Sequence, residues 1–155
     1  MRSTLLVDGP APVHLIILDD GDEVLETLTG FVRERDIGAA EFTAIGAVSD
    51  AEFGWFDAAA KQYRPRRLDE QCEVVSLIGD VAVGEDGPML HTHIGLGVED
   101  GTLHGGHLIS AHVHPTLEVK LRVFPVVLRR EQRDDLGTAV IVPPDTEPVG
   151  GGKSG

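Results

Sequence analysis

A chain of 155 residues with 41% hydrophobic residues is long enough to bury a core as one domain and too apolar to be disordered throughout. Cys72 is the single cysteine, which excludes an internal disulfide, and no apolar run approaches the ~20 residues of a membrane-crossing helix. The formal net charge of −13, from 13 basic and 26 acidic residues, repels phosphate backbones at long range and argues against DNA as a partner of this chain on its own.

The opening MRSTLLVDGPAP has no signal-peptide pattern, so a cytoplasmic protein without membrane contact is expected. Pro12 to Leu18, PVHLIIL, reads as a strand, and DDGD then makes a turn. A helix is expected from about Asp22 to Asp36, because Val24, Leu25, Leu28, Phe31, Val32 and Arg35 share one face at 3.6-residue spacing. Asp22 and Glu23 suit its positive end, Arg33 and Arg35 its negative end, and Gly38 a stop; Gly30 within it costs ~1 kcal/mol against Ala. From Ala39 the pattern turns to period two. EFTAIGAV and AEFGWFDA read as two strands around a Ser49-Asp50 turn, and KQYRPRRL as a weaker one that Pro65 places at an edge. CEVVSLIGDVAV reads as a long strand, bent at Gly79, and buries Cys72 as a small apolar residue. After a GEDGP turn comes MLHTHIGLGVED, then a tight Asp100-Gly101 turn, then TLHGGHLISAHV and a last strand LEVKLRVFPVVLRR.

One early helix followed by successive strands predicts an α+β fold: a compact single domain with a mostly antiparallel sheet and one main helix. Its boundaries are set at residues 1–133, with 134–155 a flexible tail rich in Gly, Pro and acidic residues. Gly152-Lys153-Ser154 imitates the end of a phosphate-binding loop, but Glu147 stands where that motif needs Gly.

Six of the seven histidines fall between His91 and His114. His91 and His93 are two apart on a strand and share a face. The Asp100-Gly101 turn folds the next strand alongside, so His107 is a candidate to reach the same place. Three converging imidazoles suit zinc with one position left for water or substrate, and iron, nickel or copper also accept nitrogen ligands. The competing reading is three packed or solvated side chains. His104, His112 and His114 are less constrained and receive no role, and His14, in an apolar strand, reads as a core histidine.

The stretch LHTHIGLGVEDGTLHGGHL, Leu90 to Leu108, resembles the signature of the PPC domain (plants and prokaryotes conserved domain), with its HxH strand, short turn and Gly-Gly-His-Leu segment. CEVVSLIGD, PTLEVKL and FTAIGAVSDAEFGWFD resemble further segments of that family, so the likeness spans about Val13 to Leu128. The resemblance implies a compact domain with an antiparallel sheet, a homotrimer, and a metal ion held at His91, His93 and His107. Plant members carry an AT-hook that enters the minor groove; Arg64-Pro65-Arg66-Arg67 lacks its glycine, so the DNA-associated role of such members is not expected here.

Three functions compete. A metal-binding trimer, with zinc and a small-molecule or catalytic role, fits the histidines and the charge; Glu73 and Glu118, on strands flanking the cluster, are its candidates for a general base or a carboxylate supporting a ligand. A DNA-associated regulatory module rests on family analogy, and a structural assembly domain would use the metal for stability alone.

Overall fold

The computed structural model describes residues 1–143, so Gly152-Lys153-Ser154 lies outside the described residues. Its elements in chain order are β1 (Arg2–Val7), β2 (Val13–Asp19), α1 (Val24–Glu34), β3 (Ala39–Asp57), β4 (Gln62–Leu68), β5 (Cys72–Gly84), β6 (Gly87–Gly97), β7 (Leu103–Val123), β8 (Arg129–Arg133) and β9 (Thr138–Val142).

The helix forms where its apolar face predicts. Glu23 caps it, accepting the Glu26 amide at 2.6 Å, and Val24, Leu28, Phe31 and Val32 are buried. Burying each such side chain is worth ~1.5–3 kcal/mol, which outweighs the ~1 kcal/mol cost of exposed Gly30. The Arg35 guanidinium lies 3.9 Å over the Phe31 ring, so its stem and charge cover the helix end. A second Glu23 oxygen takes the Ala111 amide at 3.1 Å, which ties the helix start to β7.

The α+β expectation holds only coarsely. All nine strands belong to one sheet, antiparallel apart from a single parallel bridge, Val83 to Arg129, and α1 is the one helix among the described residues. The sheet closes on itself, because β3 pairs β5, β5 pairs β6, β6 pairs β7 and β7 returns to β3. Ile16, Leu28, Phe31, Phe42, Leu77, Leu96, Leu108, Leu117 and Leu121 fill the core.

Two expected breaks are absent. Ser49-Asp50 does not turn the chain: β3 runs through it, and the polar pair is absorbed by a bulge. Ser49 Oγ donates to Asp50 Oδ2 at 3.0 Å, and Asp50 Oδ1 lies 3.1 Å from His112 Nδ1 on β7. In the same way β7 is one strand through Pro115, whose missing N–H falls in the gap between Val113 and Leu117, the β7 residues that pair with Val48 and Gly46 of β3. The expected last strand instead ends at Val123. The Phe124 amide bonds Ala39 O at 3.0 Å and the Leu128 amide bonds Gly38 O at 3.2 Å before β8 begins.

Two strands lie outside the expected ones. β1 is exposed along its whole length, so it carries no alternation to read, yet it pairs β2 from Arg2 against Ile17 to Val7 against Val13. β9 lies beyond the boundary placed at Arg133 and pairs β8 as a hairpin.

The glycines before His107 mark where β7 changes partner. A Cβ on Gly105 would stand 2.3 Å from Ile94 O on β6, and one on Gly106 would stand 2.5 Å from Gly54 O on β3. Neither backbone can yield without opening the sheet. A Cβ on Gly30 meets nothing within 4 Å. Gly106→Ala is therefore expected to lower unfolding free energy by ~1–3 kcal/mol, the usual overpacking range, and Gly30→Ala to raise it by ~1 kcal/mol. Urea unfolding of the two variants measures both; equal effects would refute this account of the crossing.

Candidate metal centre

The strand register assembles the histidines. His93 of β6 lies opposite His107 of β7, and His107 is also opposite Gly54 of β3, at the point where β6 and β7 part. His91, two residues further along β6, lies opposite Asp80 of β5. One nitrogen from each of His91, His93 and His107 falls within 4.8 Å of the others. Ring centroids are 5.1 Å apart for His91 and His93, 5.3 Å for His91 and His107, and 5.6 Å for His93 and His107.

The surroundings favour the neutral form of two of these rings, His91 and His107. Burial, then the charges of His91, His93 and Arg130, pushes the His107 pKa down to about 4. Burial also lowers His91, helped by Arg130 and opposed by Asp80. Tyr63 of β4 stacks on His107 with ring centroids 4.4 Å apart at 23°, in space left by Gly54. His107 Nδ1 is buried and has no hydrogen-bond partner, a state that a bound ligand on that atom would relieve. Mutual reach of three imidazoles, two of them resisting protonation, and an orphaned ring nitrogen together fit a divalent ion.

Asp80 is the carboxylate behind the triad. Its Oδ2 is 3.8 Å from His91 Nδ1, and its Oδ1 accepts Arg130 Nη2 at 2.6 Å. A cavity of about 360 Å³ opens over His91 and His93, lined also by Glu41, Ile78, Gly79 and Asp80.

The other candidates lie elsewhere. Glu73 is exposed and opposite Gly97, seven positions along β5 from Asp80, or ~23 Å at 3.3 Å per residue. Glu118 is exposed between Ile17 and Ile45, eleven positions along β7 from His107. Both flank the cluster in sequence, but strands this long carry them away from it. Sequence reasoning missed Asp80, although the GEDGP turn that joins β5 to β6 sets the register placing it opposite His91. Tyr63 and Arg130 come from distant strands and left no local signal. His112 pairs with Asp50 and His114 with Asp20, at 3.1 Å and 2.8 Å, and His104 lies by Phe53, Trp55 and Arg66. His14 stands edge-on to Phe31 at 5.3 Å, with its pKa lowered by burial and by Arg35.

This closed sheet, packed on one face of α1 and carrying a three-histidine cluster at the strand crossing, defines a class of small β-rich domains. The family model of the Plants and Prokaryotes Conserved (PCC) domain matches residues 7–125, and the chain belongs to that family. A plant- and prokaryote-conserved (PPC) protein of Pyrococcus horikoshii is 26% identical with a TM-score of 0.80, over 94% of this chain and 97% of that one. A metal-containing protein of Archaeoglobus fulgidus is 30% identical with a TM-score of 0.80, over 92% and 99%. A candidate DNA-binding protein of Ralstonia eutropha JMP134 is 30% identical with a TM-score of 0.79, over 84% and 91%. No curated protein matches the chain. No helix among the described residues is long and apolar enough to cross a membrane.

The His107 environment has a consequence for pH. In the unfolded chain a histidine takes its proton near ~6.5, whereas folded His107 resists it until about 4. Between those values the unfolded state holds the extra proton. The stability due to neutral His107 is therefore complete above the unfolded pKa and is lost as pH falls toward the folded one. Metal-free wild type should lose more stability than His107→Gln between pH 7 and pH 4.5 in urea titrations. Parallel losses would show that His107 carries none of the effect.

Proposed function

We propose that His91, His93 and His107 hold one divalent metal ion, zinc before others, in a homotrimeric protein that binds a small molecule or performs metal-assisted chemistry. The observation that carries this reading is the convergence of three ring nitrogens, with the rings of His91 and His107 resisting protonation and a buried His107 nitrogen without a partner. The metal-containing relative from Archaeoglobus fulgidus supports it. Such an ion, when bound, supplies Lewis acidity and lowers the pKa of a coordinated water to ~7. The protein's part is a cavity on the outer sheet face with two carboxylates, Asp80, engaged by Arg130, and Glu41, 3.8 Å from the Arg122 guanidinium.

Assembly as a homotrimer is supported by apolar side chains left on the surface. Ile45, Val75, Ile78 and Leu103 are each more than half exposed, at 57%, 51%, 54% and 67%. Burying such a set between copies recovers ~25 cal/mol per Å² of apolar area.

The DNA-associated alternative has the description of the Ralstonia relative in its favour. Against it stand the charge of −13 and the fate of the single basic run. Three of the four cations in that run, Lys61 to Arg67, are engaged: Arg64 is paired with Asp57, Arg67 with Asp69 and Asp50, and Lys61 donates to Asp134 O. Phosphates would have to displace these partners.

Metal content of untagged protein by plasma mass spectrometry should give one ion per subunit in wild type and in His14→Ala, and a large loss in His93→Ala. Equal content in wild type and His93→Ala would place the ion elsewhere, and no uptake after zinc addition and dialysis would end the reading. Light scattering should give three times the monomer mass; a monomer mass across a wide concentration range would remove the trimer.

A further inference from the structure

We propose that the C-terminal hairpin β8–β9 tunes the affinity of the triad, with Arg130 a positioning residue that holds Asp80 against His91. The inference rests on the metal-binding reading above and concerns residues to which that reading gave no part in affinity.

Arg130 is the first inward-facing residue of β8, and its side chain is only 6% exposed. Nη2 donates to Asp80 Oδ1 at 2.6 Å and Nη1 to Ala139 O of β9 at 3.2 Å. The guanidinium is thus gripped by the hairpin to which it belongs and grips in turn a carboxylate of β5. The hairpin itself is anchored beside that carboxylate by the Val83–Arg129 bridge and by the Val83 amide to Leu128 O at 2.8 Å. With Oδ1 fixed, the other Asp80 oxygen is left 3.8 Å from His91 Nδ1, across the β5–β6 ladder. That is an ion-pair distance, longer than a hydrogen bond. Were His91 to hold a cation through its other ring nitrogen, Nδ1–H would become a stronger donor toward a carboxylate already in place.

A carboxylate behind a metal-bound histidine fixes ring orientation and raises ligand basicity, and its loss typically costs ~10–100-fold in affinity. Asp80 alone would lack that constraint, since its side chain is a third exposed, at 32%, and free to turn to water. The planar Arg fork supplies it. The family model ends at residue 125, so the segment that supplies Arg130 lies outside the family-matched core. Affinity is then set by a part of the chain that the core of the family does not define.

Zinc affinity, measured by competition with a chromophoric chelator, and the visible spectrum of the cobalt form test this in full-length protein. Arg130→Met and Asp80→Ala should each weaken zinc by roughly 10–100-fold, and Arg130→Lys should recover part of the loss. The double variant Asp80→Ala/Arg130→Met should bind no more weakly than Asp80→Ala, because Arg130 acts through Asp80. The cobalt bands should shift in Arg130→Met. Wild-type affinity in Arg130→Met, or losses that multiply in the double variant, would overturn the inference. Should Arg130→Met fail to fold, Asp80→Ala at wild-type affinity would overturn it equally. A wild type that takes up no zinc would instead remove the metal reading on which it rests.

Discussion

The close approach of three backbones at Gly105 and Gly106 is the constraint on which the site depends. Strand β7 leaves β6 and joins β3 within two residues, and each glycine faces a carbonyl oxygen where a Cβ would have to stand, at 2.3 and 2.5 Å. This crossing closes the circuit of β3, β5, β6 and β7. It also fixes His107 opposite His93 at the last rung before β6 and β7 separate. A ring at that rung lies between β6 and β3 and stacks on Tyr63 of β4. The triad is therefore a product of sheet closure and not of a loop, and its precision is that of backbone ladders.

Electrostatics then decides the state in which the rings are held. His91 feels two opposed charges, Asp80 favouring its protonated form and Arg130 disfavouring it. Its pKa is lowered, so burial with Arg130 prevails over Asp80. Burial acts on His107 too, joined by the charges of His91, His93 and Arg130 and with no carboxylate to oppose them. Imidazoles that resist protonation, as His91 and His107 do, keep their lone pairs available, and a cation is a partner such rings accommodate. The acidic surface works in the same direction at long range, drawing cations toward the chain and keeping polyanions away.

What the sequence made legible follows the range of the interactions. The HxH pair needed only the two-residue period of a strand, and His107 needed only one hairpin, whose Asp100-Gly101 turn is local. The long strands defeated the next step. Glu73 and Glu118 flank the cluster along the chain, yet each residue of strand moves a side chain ~3.3 Å, so both end far from it. Asp80 was within reach of register counting through the GEDGP turn. Tyr63 and Arg130 were not, since β4 meets the site through β3 and β8 through β5, and no short pattern encodes either contact. Ser49-Asp50 misled for a complementary reason: turn-prone residues were satisfied by each other and by His112 inside a strand paired on both flanks. β1 was silent because an edge strand exposed on both faces has no apolar period.

A buried arginine in a chain this small calls for an explanation beyond stability. Removing a guanidinium from water costs several kcal/mol, and an ion pair repays that only with good geometry and further hydrogen bonds. Arg130 has the pair with Asp80 and one carbonyl bond, while its Nε remains without a partner. An apolar residue of similar volume would be expected to fold as well or better at that place. The interaction is therefore weak as a source of folding energy and strong as a source of orientation. Its orienting power is spent on a carboxylate whose free oxygen faces His91, which is where a fixed direction has chemical value.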